Sequence, residues 1–285
     1  MQLHFKDLWW SFLLLAVGSY LIGSVSFARI ISSAKNRDIT KIGSGNPGTM
    51  NMSREFGLGI GILTLLLDIS KGVVPALVGR LAFSGMFFGD SPLEVGMTAQ
   101  YLAGFCAVVG HIFPIYYKFK GGKGIAVTIG VFLVGEWYIT LIFAAIALAY
   151  ILITEMGSMG SFIATTPSAI VAVIRLYNLG FSSGVKFDYG VAFFSLSMLL
   201  VLGIITLTWV AHKKNIKSLL AGEEHETGWI GMIRKEKIKR KMKKLGKSGD
   251  GYKKIGDGVS DSSESVATVL SLREDKTEDD AEEIE

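Results

Sequence analysis

The chain has a single cysteine, Cys106, set in an apolar run; it carries no information about disulfides and supports no metal site. The four histidines, His4, His111, His212 and His225, are too scattered for ligand spacing. No P-loop is present: GxxxxGK[ST] needs a Gly six residues before the Lys and a hydroxyl after it, whereas position 117 is Tyr and position 124 is Gly. Nucleotide hydrolysis thereby loses its best sequence argument. No cleavable signal peptide is expected, because the first apolar run lacks a basic leader and continues as a long span.

What the chain has in abundance is apolar length. Half of its 285 residues are hydrophobic, and mean hydropathy is +0.44. These residues are gathered into long runs that a soluble protein would disperse, so the expected fold is an all-α, polytopic integral membrane protein. Trp9 to Ile31 is about 23 residues, enough for a ~30 Å hydrocarbon core. Gly18, Gly23, Ser19, Ser24 and Ser26 give it a small-residue face for helix packing. Further spans are expected near Leu58–Phe83, Val95–Tyr117, Tyr138–Ile153, Phe162–Leu176 (with Pro167 as a kink) and Tyr189–Ala211, with a short apolar segment at Ile125–Val134. A polar turn is expected at Phe87–Glu94, a glycine- and hydroxyl-rich break at Thr154–Ser161, and a polar loop from Tyr177 to Asp188 with Arg175 and Lys186 at its margins.

Lys and Arg orient these segments. Loop 32–57 and the region after Ala211 are rich in both, so both are expected on the cytoplasmic side. About seven crossings, one of them short, satisfy that rule with the N-terminus outside and the C-terminus cytoplasmic. Stretches 43–57, 118–124, 154–161 and 212–224 then meet on one face. The expected division is a membrane domain, 1–224, followed by a charged tail, 225–285, basic over 229–254 and acidic over 257–285. Such blocks are usually solvated, and the basic one suits anionic lipid headgroups.

Two stretches concentrate chemistry. Val108–Gly124, VVGHIFPIYYKFKGGKG, carries His111 and then breaks into Lys118, Lys120 and a Gly-Gly-Lys-Gly loop. Gly121 and Gly122 would let backbone N–H groups approach an anion, and Lys120 and Lys123 add charge. The stretch reads as a phosphate cradle or as a positive-inside anchor with a flexible turn. The other stretch, GSGNPGTMNMSREFG, offers Ser44, Asn46, Asn51 and Arg54 as donors to phosphate or carboxylate oxygens in a turn fixed by Gly43, Gly45, Pro47 and Gly48, or is an ordinary turn followed by an interfacial anchor at Arg54. Within the second span, Asp68 and Lys71 are spaced i,i+3 on one face, as a functional pair or an internal salt bridge.

In order along the chain, GSGNPGTMN, LLDISKG, VVGHIFPIYYKFKGGKGIAVT and HKKNIKSLLAGEE resemble the motifs GSGNPGATN, LLDxxKG, GHxFPxFxxFKGGKGVAT and HRxNIxRLLxGTE of the PlsY-type acyl-phosphate:glycerol-3-phosphate acyltransferases of bacterial membranes. The resemblance covers about residues 10–224. It implies catalytic roles for Ser44, Arg54, Lys123, Ser161 (of Ser158-Met-Gly-Ser161), His212 and Asn215, and substrate contacts by Gly45, Asn46, Asn51, Lys120, Gly121, Gly122 and Glu224. Asp68, Lys71 and His111 are expected to support the site. Thr49-Met50 and Glu223 depart from the family pattern without removing a phosphate ligand.

The implied reaction moves a fatty acyl group from acyl phosphate to the 1-hydroxyl of glycerol 3-phosphate, giving lysophosphatidic acid, at the cytoplasmic face of the bacterial inner membrane. The implied partners are the two substrates and membrane lipid, with no cofactor, metal or nucleic acid. No histidine here has an Asp five positions later, so the His-x4-Asp pair of other glycerophosphate acyltransferases is missing. A transporter or channel for a phosphorylated metabolite would use the same basic loops and the Asp68/Lys71 pair, but the sequence has no obvious internal repeat. A lipid-binding scaffold would account for the charged tail but not for the clustered motifs.

Overall fold

The computed structural model describes residues 5–87, 94–181, 189–223 and 227–244. Glu224, Lys186, most of the two expected loops at 87–94 and 177–188, and the tail beyond 244 lie outside the described residues. In lipid, backbone polar groups have no water to bond, so long apolar runs close their hydrogen bonds internally as helices. The helices are α1 (Phe5–Ser24), α2 (Phe27–Ala34), α3 (Thr49–Phe56), α4 (Leu58–Ala82), α5 (Val95–Ile112), α6 (Ile125–Gly135), α7 (Trp137–Thr154), α8 (Gly157–Phe181), α9 (Tyr189–Ala211), α10 (Lys213–Leu220) and α11 (Trp229–Lys244). Five spans are long and apolar enough to cross a membrane, α1 and α2 counting together as one; the pair α9–α10, bent by 60°, makes a sixth. The protein is an all-helical, multi-pass integral membrane protein.

Helix α5 is the central staff. Its span is 78% buried, whereas that of α7 is 11% buried and turns Leu141, Ile142 and Ile146 outward. Small residues set the spacing of the helices around it. A Cβ on Gly23 of α1 would run into the Ala107 carbonyl of α5, and one on Gly110 into Tyr20 of α1. The small-residue face expected on the first span is therefore a packing seam. Helix α6 beds on α4 in the same way, through Gly72 and Gly130.

Four boundaries differ from expectation. The first span breaks at Val25 and Ser26, between α1 and α2. Stretch 43–57 contains a helix, α3, and the break at 154–161 shrinks to Glu155 and Met156, so Ser158 and Ser161 lie in the first turns of α8. Arg175 lies inside α8, which runs on to Phe181, rather than at the margin of a loop. There its guanidinium binds the buried Glu136 carboxylate at 2.8 Å, and Tyr101 donates to the same oxygen at 2.9 Å. One compact unit runs to Met232. Residues 233–285 form a second unit, in which the described part is the basic end of α11.

The break in the first span has a clear use. Its free carbonyl, on Val25, accepts a hydrogen bond from Lys71 at 2.7 Å. The same ammonium binds Asp68 at 2.8 Å and donates to His111 Nδ1 at 3.0 Å. All of its N–H protons are thus spent within a buried knot that joins α4, α5 and the α1–α2 joint. Lys71→Met would leave the Asp68 carboxylate buried beside unserved acceptors, at a cost of about 3–5 kcal/mol. The expected result is a clear fall in the thermal unfolding midpoint of the detergent-solubilised protein, while Lys35→Met, at an exposed position, leaves it unchanged.

Candidate active site

The glycine loop is folded back onto the end of α5. After the turn Ile115–Tyr117, Lys118 and Phe119 take φ of +53° and +58°, and the chain reverses. Gly121 and Gly122 then donate their N–H groups to the carbonyls of Ile112 and His111, each at 3.1 Å. A Cβ at Gly121 would strike the His111 carbonyl, and one at Gly122 would strike the His111 imidazole. These glycines permit close approach, and their amides are consumed by α5. Gly45 N–H likewise goes to Ile42 O at 3.0 Å. The amides of Gly45, Gly121 and Gly122 are thus bonded within the chain, and these residues build the loops.

Lys123 follows directly. Its ammonium donates to Asn215 Oδ1 at 2.7 Å, and Asn215 Nδ2 donates to Ser158 Oγ at 2.9 Å. This relay ties the glycine loop to α10 and to the start of α8, a helix end that favours negative charge. Ser158 was not singled out from the sequence, although it is the first serine of the Ser-x-x-Ser stretch quoted there. Ser161, one turn on, donates to Gly157 O at 2.9 Å. Lys120 is exposed, and its carbonyl accepts from Arg29 at 2.7 Å.

His212 sits at the break between α9 and α10, outside both. Its Nδ1 lies 2.9 Å from Thr208 O, which can only accept, so Nδ1 carries the proton and Nε2 the lone pair. That leaves Nε2 as a hydrogen-bond acceptor.

The 43–57 stretch reaches the same face. Asn51 is buried and braces it: Oδ1 takes the Ser44 N–H at 3.0 Å, and Nδ2 serves the carbonyls of Ile42 at 3.1 Å and Ile39 at 3.3 Å. Its amide protons are spent on these carbonyls, and its Oδ1 holds the Ser44 backbone. Asn46 N–H lies 3.5 Å from Ser44 Oγ. Arg54, in the last turn of α3, donates from Nε to Thr227 O at 3.3 Å. A Cβ built on Gly157 would lie 3.0 Å from the Met50 methyl and 3.4 Å from Thr227, which sets α3, the start of α8 and residue 227 side by side. Stretches 43–57, 118–124, 154–161 and 212–215 thus converge, as hydropathy and charge predicted. The Asp68/Lys71 pair does not face this cradle as a charge carrier. It supports the site through His111, whose carbonyl holds Gly122.

Beside the polar face lies an apolar groove of about 490 Å³ between α7, α8, α9 and α10, lined by Phe143, Met159, Phe162, Trp209 and Ile216 among others. Phe162 stands edge-on to both Trp209 and His212, with ring centroids 5.3 and 5.7 Å away. A greasy groove and a cationic, hydroxyl-bearing cradle therefore meet at His212. That pairing fits an amphiphile with a phosphate at one end.

Comparison with known proteins points the same way. Residues 13–222 match the family described as Glycerol-3-phosphate acyltransferase. The chain is 38% identical over 217 residues to the Glycerol-3-phosphate acyltransferase of Halalkalibacterium halodurans, covering 75% of this chain and 95% of that one. It is 35% identical over 219 residues to Glycerol-3-phosphate acyltransferase 2 of Thermotoga maritima, covering 76% and 96%. The crystal structure of PlsY (YgiH), an integral membrane glycerol 3-phosphate acyltransferase, superposes in its glycerol 3-phosphate form with a TM-score of 0.61 at 29% identity, over 78% of this chain and 98% of that one. Its lysophosphatidic acid form gives 0.58, also at 29% identity, over 76% and 95%.

The loop geometry is testable by itself. Gly121→Ala forces a methyl into the His111 carbonyl and should cost about 1–3 kcal/mol, read as a lowered thermal midpoint. Gly59→Ala, where a Cβ meets nothing, should leave the midpoint the same or slightly raised.

Proposed function

The chain belongs to the glycerol-3-phosphate acyltransferase family, and from that premise we propose how it works. It transfers a fatty acyl group to the 1-hydroxyl of glycerol 3-phosphate, giving lysophosphatidic acid, with acyl phosphate as the donor. Acyl phosphate is a mixed anhydride with a good leaving group, so no enzyme nucleophile is needed. The substrate hydroxyl oxygen attacks the acyl carbonyl carbon, the bond from that carbon to the phosphate oxygen breaks, and inorganic phosphate leaves. The hydroxyl proton passes to His212 Nε2 or to the departing phosphate.

The observation that carries this proposal is the Lys123–Asn215–Ser158 relay, which brings three of the family's motifs to one point. Two phosphate-bearing substrates repel one another, and Lys123 and Arg54 offset that repulsion while the site fixes their orientation. Ser44, Asn46, Ser158, Ser161 and Asn215 position glycerol 3-phosphate, with Glu224 as an outlying contact and Lys120 as a source of attraction at the rim. The acyl chain lies in the groove along Phe162 and Trp209, within the bilayer. The site faces the cytoplasm of a bacterial inner membrane, with the N-terminus outside and α6 counted as a short seventh crossing.

Three measurements test this. With labelled glycerol 3-phosphate, lysophosphatidic acid should form from acyl phosphate and not from acyl-CoA or acyl carrier protein, and Lys123→Ala should cut kcat/KM by about 10²–10³-fold. Product from acyl-CoA alone would overturn the donor; none from any donor would overturn the assignment of roles. With Nδ1 bound to Thr208 O, Nε2 is the acceptor. His212→Gln should lower the rate at every pH, while an acid limb near pH 6, where a phosphate monoester takes up its second proton, should stay in place. Ile163→Trp, narrowing the groove, should cut the kcat/KM ratio of a ~18-carbon over a ~12-carbon donor about tenfold, since each methylene no longer buried forfeits about 0.8 kcal/mol.

A further inference from the structure

The family match ends at residue 222, yet the chain just beyond it packs back onto the membrane unit. Thr227 and Trp229 are 1% and 8% exposed. Thr227 N–H donates to the Glu155 carbonyl at 3.0 Å, and Gly228 N–H donates to the Glu155 carboxylate at 2.7 Å. Glu155 is thus a double anchor at the joint between α7 and α8. Both ends of this contact are built from left-handed backbone: Glu155 has φ of +57° and Gly228 of +71°. Trp229 then opens α11, with its N–H on Thr227 Oγ1 at 3.4 Å. Against this anchored turn lies Arg54, whose Nε donates to the Thr227 carbonyl at 3.3 Å.

We infer that residues 227–229, anchored on Glu155, form a strap that positions the Arg54 guanidinium for phosphate. A guanidinium is a planar fork, so holding Nε sets the plane in which its terminal N–H groups approach a phosphate. Glu155 and the strap act through Arg54 and touch no reacting atom; they are positioning residues. The inference rests on the assignment of Arg54 to phosphate made above. It adds that this chain completes its anion cradle with a segment outside the family match.

The test is steady-state kinetics on the full chain, with glycerol 3-phosphate varied at saturating acyl phosphate. Glu155→Ala removes the carboxylate acceptor of Gly228 and should raise KM for glycerol 3-phosphate about tenfold with kcat within a factor of two. Glu155→Gln retains an acceptor oxygen and should restore KM to near the parent value. Arg54→Lys keeps charge but loses the fork, and Glu155→Ala added to Arg54→Lys should raise KM no further. A chain ending after Glu224 keeps that substrate contact, removes the strap altogether and should reproduce the Glu155→Ala defect, with folding checked by monodispersity and thermal midpoint. If Arg54→Ala raises KM while Glu155→Ala and the shortened chain do not, the strap is overturned and the role of Arg54 survives. If Arg54→Ala leaves KM unchanged, the role of Arg54 itself fails. Additive effects of Glu155→Ala and Arg54→Lys would place Glu155 outside the Arg54 pathway and overturn the inference.

Discussion

One ammonium group sets the frame. Lys71 is buried and gives its protons to Asp68, to the carbonyl at the α1–α2 break and to His111. Desolvating a lysine this far is costly unless charge and hydrogen bonds are both satisfied. The sequence satisfies both by breaking its first span, because an intact helix would have kept the Val25 carbonyl for itself. The knot therefore fixes the relative heights of α1, α4 and α5. Since His111 lies in the last turn of α5, it also fixes the point from which the glycine loop is hung. The Asp68/Lys71 pair is thus saturated, which removes the feature that a transport pathway would have borrowed.

From that frame follows the electrostatic character of the site. Loop amides at Gly45, Gly121 and Gly122 are taken up by neighbouring carbonyls, so the cradle depends on long cationic side chains held by partners. Lys123 is steadied through Asn215 and Ser158, and Arg54 against residue 227. His212 is fixed in tautomer by Thr208, and Thr208 Oγ1 lies 3.0 Å from the Thr128 hydroxyl of α6. Lys123, Arg54 and His212 are each tied to an element other than their own loop. Such arrangements limit reorganisation as charge develops, which is where catalysis by orientation gains its effect.

Much of this was legible in the sequence. Apolar runs gave the spans within a few residues, since hydropathy reports directly on the lipid-facing requirement. The spacing of Asp68 and Lys71 put both on one helix face, where the structure pairs them, and the crossing count set by hydropathy and charge foretold which loops converge. What could not be read were the choices made by hydrogen bonds. Glycines at 121 and 122 look the same whether their amides face an anion or an α5 carbonyl. Asn51 has the same polar atoms as a brace or as a ligand. Ser158 and Ser161 were placed in a break because glycine and hydroxyls mark breaks, but burial against α10 and the Tyr150–Met156 turn keeps them helical. The buried turn at Thr227 was hidden by the charge that follows it, since composition averages over a short apolar stop.

The shortness of α6 carries a last consequence. Its 11 residues reach about 16 Å of a ~30 Å core, and the helix begins at the residue after the Lys123-Gly124 pair. If its far end, at Glu136 and Trp137, stays level with the ends of its neighbours, Lys123 lies well below the opposite surface. On the topology proposed above, Lys123 would stand on the floor of a shallow well open sideways to lipid. A water-borne phosphate would come down the membrane normal and an acyl chain along its plane, by perpendicular routes that meet only at the bottom.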